Sequence, residues 1–267
     1  MIEAHDQFYL HNDQWDSFVN DDHLLLKVKE LINRLDPVTN AGTIIGEDLL
    51  VPMQGQELWA SGVTYFNSKL ARQVESEQAG GGDFYENVYH ADRPELFFKA
   101  SAQRVVPSGG EVRIRKDSSW DVPEPELTLA VSSNGKIIGY TIGNDMSSRS
   151  IEGENPLYLP QAKTYDGCAG LGPCLYLTDQ PLSPGTTIVM KVVRSGVNVF
   201  EGSVSIDQMK RKPQDLVAYL YRECSFPNGS LLMTGTGIVP TNDFTLKSGD
   251  RIDISIEPIG TLTNYVQ

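Results

Sequence analysis

Cysteine and histidine are scarce in this chain, with three of one and four of the other among 267 residues. Cys168, Cys174 and Cys224 are odd in number and widely spaced. That argues against a disulfide framework and against a cysteine zinc site, so the thiols read as buried small hydrophobes in a reducing cytoplasm. Positive charge is also short: 22 Lys and Arg stand against 35 Asp and Glu, a net charge of −13. A surface that acidic disfavours nucleic acid and anionic membranes, while leaving room for a local positive pocket that takes an anionic substrate. No apolar run reaches membrane-spanning length, and the opening MIEAHDQFYLHND has neither the basic flank nor the apolar core of a secretory signal. GxGxxG, P-loop and nucleophile-elbow patterns are missing, which removes the nucleotide-binding and triad-hydrolase readings built on them.

What is present is ordinary globular material, 40% hydrophobic and 21% charged, long enough for one large domain with a small appendage. Residues 1–55 read as a small N-terminal α+β domain and 56–267 as the main domain. Leu24, Val28, Leu31, Ile32 and Leu35 predict a helix over His23 to Leu35, and Thr43 to Met53 reads as short strands. Leu58 to Tyr65 is strand-like. Ser68 to Gln78 reads as a helix running into Gly80-Gly81-Gly82, a composition shared by mobile lids and plain surface loops. His90 is expected at a loop or helix end. Strands are predicted over Thr187 to Val193 and Val197 to Ile206 around a Ser195-Gly196 turn, then a helix over Pro213 to Arg222. An apolar strand at Leu231 runs into a Gly-Thr loop, and a closing strand covers Asp250 to Pro258. Many short strands and few helices imply a β-rich α+β fold with its site at the mouth of a curled sheet.

The informative stretch is Trp120 to Arg149. Two β-branched runs flank Asn134-Gly135, a hairpin signal. Taking those two residues as the loop places Glu126 opposite Gly143 and Glu124 opposite Asp145, so three carboxylates share one face. Opposed like charges repel, so a sheet gains by this arrangement only if a cation sits between them or one carboxyl stays protonated. Gly143 would leave room for such an ion. Oxygen-only ligands suit Mg²⁺, with Mn²⁺ or Ca²⁺ compatible with the same set. A solvated acidic hairpin face has the same sequence pattern.

PEPEL (Pro123 to Leu127), GYTIGNDMSSR (Gly139 to Arg149), QAKTYDG with LGP (Gln161 to Pro173) and LLMTGTG (Leu231 to Gly237), in this order, resemble the fumarylacetoacetate hydrolase family. The resemblance covers roughly Trp59 to the C-terminus. It implies a mixed β-sandwich roll, a homodimer or homotetramer, and Glu124, Glu126 and Asp145 as metal ligands. GVTY (Gly62 to Tyr65), ADRPELFFKA (Ala91 to Ala100) and SSRSIEGENPLYLPQAKTYDG (Ser147 to Gly167) are similar to the sugar-acid dehydratases of that family. The expected reaction is metal-dependent dehydration of a 2-keto-3-deoxy sugar acid, such as 2-keto-3-deoxy-D-arabinonate, to a 2,5-dioxo acid. Glu95 and Lys163 are then the catalytic acid and base, in either order. Thr236, Gly235, Lys99, Ser147 and Arg149 are expected to bind this 2-oxo acid. Hydrolysis of a carbon-carbon bond in an acylpyruvate or diketo acid is the alternative and would call on His90. A non-catalytic metal-binding scaffold is the reading outside enzymology.

Overall fold

The computed structural model describes residues 1–75 and 82–267, without the side chains of residues 47, 48, 75, 82 and 83. The chain opens with β1 (Ile2–Ala4), β2 (Gln7–Tyr9), α1 (Trp15–Val19), α2 (Leu24–Ile32) and α3 (Ala41–Asp48). There follow β3 (Glu57–Gly62), α4 (Phe66–Glu75), α5 (Gly82–His90), β4 (Glu95–Ser101), β5 (Val105–Val106), β6 (Glu111–Val112) and β7 (Asp121–Val122). The hairpin strands are β8 (Pro125–Val131) and β9 (Ile137–Asp145), succeeded by β10 (Ser147–Ser148), α6 (Arg149–Glu154), α7 (Leu159–Lys163) and β11 (Ala169–Tyr176). The last third comprises β12 (Thr187–Arg194), β13 (Val197–Ser205), α8 (Pro213–Leu220), β14 (Ser230–Met233), β15 (Arg251–Ile256) and β16 (Gly260–Val266).

Among the described residues, a seven-stranded mixed sheet runs β4-β3-β14-β8-β9-β11-β5, and a five-stranded sheet runs β13-β12-β15-β16-β6. The two sheets share one apolar core, in which Leu127, Leu129 and Ile142 of the large sheet meet Ile188, Met190, Ile252 and Ile254 of the small one. The opposite face of the large sheet is covered by the N-terminal segment, whose Val19, Leu24, Val28 and Met53 pack with Leu58, Ala60, Leu231 and Met233. Every residue of β8 is therefore buried, as expected of a central strand covered on both faces. Full burial of one Leu or Ile contributes about 1.5 to 3 kcal/mol, so these two layers carry most of the driving force for this arrangement.

Several local readings change. Thr43 to Asp48 is helical, not extended: Asn40 C=O accepts from Thr43 N and Ile44 N at 3.2 and 3.3 Å, closing a first turn. The last strand is β16 rather than β15, and it alternates Leu262, Asn264 and Val266 inward. Cys168 is buried, but Cys174 and Cys224 are exposed. Cys174 sits where β11 loses register with β9 beyond Gly172, and Cys224 lies in the loop after α8. The triglycine segment lies outside the described residues at 80 and 81, and Gly82 begins α5.

The hairpin turn differs from its two-residue expectation in an instructive way. Gly135 alone has positive φ (76°); its N–H donates to Ser132 O, and Ser132 N donates to Lys136 O, both at 2.9 Å. The loop therefore has three residues, with glycine in the left-handed position. That would shift the register by one, yet Val131 pairs with Ile137 while Ala130 pairs with Gly139, so a bulge absorbs Ile138. The two offsets cancel, and Glu126 faces Gly143 as predicted. At Ser195-Gly196, by contrast, both φ values are positive (51° and 80°), the geometry of a two-residue hairpin loop.

Candidate metal centre and active site

Glu124 lies just before β8 and exchanges both backbone hydrogen bonds with Asp145, at 3.2 and 2.9 Å. Glu126 follows on the same face. One oxygen from each of Glu124, Glu126 and Asp145 lies within 4.8 Å of the others, and all three residues are buried. The solvated-face reading is thereby excluded. Gly143 serves packing instead of ion space: a Cβ there would lie 2.5 Å from Thr128 Oγ1 and 2.7 Å from Met233 Cε.

Two buried lysines reach this cluster from different elements. Lys163, at the end of α7, donates to Glu124 Oε2 at 2.6 Å, Asp145 Oδ2 at 3.2 Å and Ser147 Oγ at 2.6 Å. An ammonium has three N–H groups, and all three are used. Lys99, on β4, lies 2.6 Å from Asp145 Oδ1 and donates to the carbonyl oxygens of Met146 (2.9 Å) and Lys163. Burial works against the Lys163 charge, but Asp145 and Glu124 outweigh it and raise its pKa. Burial likewise pushes Glu124 up, yet Lys163, Arg72 and Arg149 hold it down, to about 2. Glu126 takes the unrelieved repulsion: burial, Asp145 and Glu124 push it well above the carboxylate range. It accepts from the Gly235 N–H, which donates to Oε2 at 2.5 Å. Three buried oxygen donors, one of them starved of positive charge, form a set that a hard divalent cation fits.

The remaining candidate residues are spread around this cluster. Arg149 Nη2 lies 3.9 Å from Glu124 Oε1, with its guanidinium 5.6 Å from the Trp120 ring centroid. Ser147 Oγ donates to Asp145 O at 3.0 Å while accepting from Lys163. Thr236 is buried beside Gly235, but its hydroxyl pairs locally, donating to Ile238 O and accepting from Ile238 N, both at 3.2 Å. Glu95 opens β4 opposite Gly62, and its carboxylate fills the space that a side chain at residue 62 would need. The residue as a whole is half-buried, whereas its Oε2 is enclosed and accepts no hydrogen bond among the described residues. Burial raises its pKa; Arg72 and Lys163 oppose this, while Glu152 and Glu124 add to it. His90 ends α5 with its side chain 63% exposed, 2.9 Å from Glu86.

Arg72 of α4 and Glu152 of α6 form an ion pair with both side chains at most 8% exposed. The sequence pattern does not single them out. Arg72 sits in a charged helix that looks solvated, and nothing local to residue 152 indicates that its carboxylate turns inward.

The C-terminal domain profile of fumarylacetoacetate (FAA) hydrolase matches residues 64–267. The chain is 45% identical over 238 residues to a probable 2-keto-3-deoxyxylonate dehydratase of Haloferax volcanii, covering 89% of this chain and 80% of that one. It is also 45% identical over 221 residues to the 2-dehydro-3-deoxy-D-arabinonate dehydratase of Saccharolobus solfataricus, covering 81% and 73%. Among solved structures, it superposes on 2-keto-3-deoxy-D-arabinonate dehydratase in its apo form with a TM-score of 0.85 at 36% identity, covering 100% and 93%. The complex of that enzyme with magnesium and 2,5-dioxopentanoate gives 0.83 over the same shares.

Proposed function

The chain belongs to the fumarylacetoacetate hydrolase family, and from that premise we propose that it is a magnesium-dependent hydro-lyase that dehydrates a 2-keto-3-deoxy pentonate to 2,5-dioxopentanoate. The observation that carries this reading is the enclosed Glu95 carboxylate, with an unpartnered oxygen, in the same electrostatic cluster as the Glu124, Glu126 and Asp145 triad. Glu124, Glu126 and Asp145 would hold Mg²⁺, which polarises the substrate's 2-oxo group and acidifies the protons on carbon 3.

Glu95 removes one of those protons. Burial raises its pKa, which makes its carboxylate a stronger base than an exposed one. Lys163 holds positive charge beside the ligands and fixes Glu124, Asp145 and Ser147 relative to one another. Arg149, near Glu124, and the Gly235-Thr236 loop, tied to Glu126, border the substrate's carboxylate end. Hydrolysis of a diketo acid would call on His90, which faces solvent here. The proposal extends to a cytoplasmic homodimer or homotetramer. The exposed Phe84, Leu157 and Val197 are apolar groups that a second copy would cover, and light scattering on the purified protein reads the assembly. No helix among the described residues is long and apolar enough to cross a membrane.

The test is a screen of Mg²⁺-loaded protein against 2-keto-3-deoxy pentonates and diketo acids, following semialdehyde and pyruvate together. Semialdehyde from the pentonates alone is expected. Pyruvate from a diketo acid without semialdehyde would reject the dehydratase reading.

A further inference from the structure

Loss of water does not by itself produce a 2,5-dioxo acid. Removing one hydrogen from carbon 3 and the hydroxyl from carbon 4 of a 2-keto-3-deoxy pentonate leaves 5-hydroxy-2-oxopent-3-enoate. That compound has the product's composition but carries a primary alcohol where the product carries an aldehyde. A second event is needed: a hydrogen must leave carbon 5 and one must arrive on carbon 3, moving the double bond to carbons 4 and 5. The resulting enol then becomes the aldehyde by gaining a proton on carbon 4 and losing the one on oxygen 5.

The structure restricts which group can move that proton. Lys163 has given all three N–H groups to Glu124, Asp145 and Ser147, and it has no lone pair with which to act as a base while charged. Lys99 is likewise occupied by Asp145 and two carbonyl oxygens. Asp145 is held between both lysines, and Glu124 is held by Lys163. Glu126 accepts from the Gly235 N–H. Glu152 is taken up by its ion pair with Arg72. The hydroxyls of Ser147 and Thr236 are occupied by neighbouring chain atoms. Glu126 is in addition taken up as a proposed metal ligand, whereas among the described residues Glu95 stands outside any ion pair, with its Oε2 enclosed and accepting no hydrogen bond. Its carboxylate lies against Gly62, in space that any larger residue there would fill.

We infer that Glu95 carries out both proton transfers, so that the site is an isomerase as well as a dehydratase; this rests on the dehydratase reading above. In the first half, Glu95 takes the carbon 3 proton, the bonding pair collects towards the 2-oxo oxygen, and the carbon 4–oxygen bond breaks. The departing hydroxide takes the proton from Glu95 and leaves as water, which restores the carboxylate. In the second half, Glu95 takes a proton from carbon 5. The freed pair forms the bond between carbons 4 and 5, the former double bond shifts to carbons 2 and 3, and charge collects on the 2-oxo oxygen. Glu95 then returns its proton to carbon 3 and the ketone re-forms. One carboxylate serving carbons 3 and 5 must act on a single face of the substrate, and the proton it carries is the one it delivers.

Isotope position tests this without any substitution. Substrate bearing two deuterium atoms on carbon 5 is turned over in ordinary water by the Mg²⁺-loaded protein, and the product is trapped early and read by mass spectrometry and NMR. Product with one deuterium on carbon 5 and a second on carbon 3 is the expected result. Product that keeps only the carbon 5 deuterium, with none on carbon 3, overturns the inference while leaving the dehydratase reading in place. No 2,5-dioxo product at all overturns both. Synthetic 5-hydroxy-2-oxopent-3-enoate separates the halves further: the native protein should isomerise it, and Glu95→Gln should do so roughly 100-fold more slowly or worse. Equal rates from the two proteins would assign the shift to another group.

Discussion

Lys99 Nζ lies 2.6 Å from Asp145 Oδ1, and neither side chain is more than 1% exposed. The contact ties β4 to the end of β9 and, through the Lys163 carbonyl, to the end of α7. Three segments distant in sequence are thus pinned at one ammonium group.

Lys99→Met should therefore destabilise the protein strongly. Removing the ammonium takes the lysine partner from Asp145 Oδ1 and from two buried carbonyl oxygens while Lys163 still meets Oδ2, so a cost of about 3 kcal/mol is expected, the lower end for a broken buried ion pair. Chemical denaturation of the metal-free protein measures it. A loss below about 1 kcal/mol would show that the pair adds little beyond packing.

Glu124→Gln should abolish Mg²⁺ binding, because a neutral amide replaces one of the three proposed anionic ligands and frees Lys163 to crowd the ion. Isothermal titration calorimetry reads this directly, and an unchanged affinity would remove Glu124 from the ligand set.

Glu95 predicts opposite pH effects on stability and on activity. Its folded pKa is raised, so above the unfolded value of 4.5 the unfolded chain releases a proton that the folded chain retains, and stability falls until pH passes the folded pKa. Glu95→Gln should consequently raise the melting temperature at neutral pH, with little change below pH 4.5, while removing dehydratase activity. In the native enzyme the acid limb of kcat/KM should lie above 4.5. A variant equally stable at both pH values would contradict the burial argument.

Asp22 behaves in the reverse sense. Hydrogen bonds from Ser132 (2.5 Å) and Asn134 (3.0 Å) lower its pKa, docking the N-terminal segment on the hairpin turn. This contribution is present above 3.8 and is lost as pH falls through the lower folded value. Asp22→Ala should increase hydrogen exchange over α1 and α2 at neutral pH, and the native protein should approach that behaviour only in strong acid.

Gly143→Ala should cost about 1 to 3 kcal/mol through overpacking against Thr128 and Met233. Both lie on the ligand face, so Mg²⁺ affinity should fall as well, a change that calorimetry beside an unfolding curve resolves.

The triad is legible in the sequence because a hairpin is local. Glu124, Glu126 and Asp145 are brought together by one short loop, and side-chain alternation does the rest. Even there the agreement depends on two offsets that sequence does not reveal, a three-residue loop and a bulge at Ile138, which cancel. The motif order from Pro123 to Gly237 also carries the family and the β-rich fold, since four separated patterns constrain a chain far more than composition does. Helix α3 runs against its local sequence: Thr43, Ile44 and Ile45 favour strands, yet their backbone closes onto Asn40 in a helical turn.

What the amino-acid sequence determined by itself was the carboxylate set: three oxygen donors on one shared face. Tertiary structure decided what surrounds them. Lys99, Lys163, Arg72, Glu152 and Glu95 come from β4, α7, α4, α6 and the start of β4, and no spacing rule relates them. Whether a lysine donor is spent on a carbonyl oxygen, or a carboxylate oxygen is left open, depends on how those elements pack. The electrostatics of a closed site are set by that packing, because burial and the nearest opposite charge determine which groups stay charged and which can move a proton.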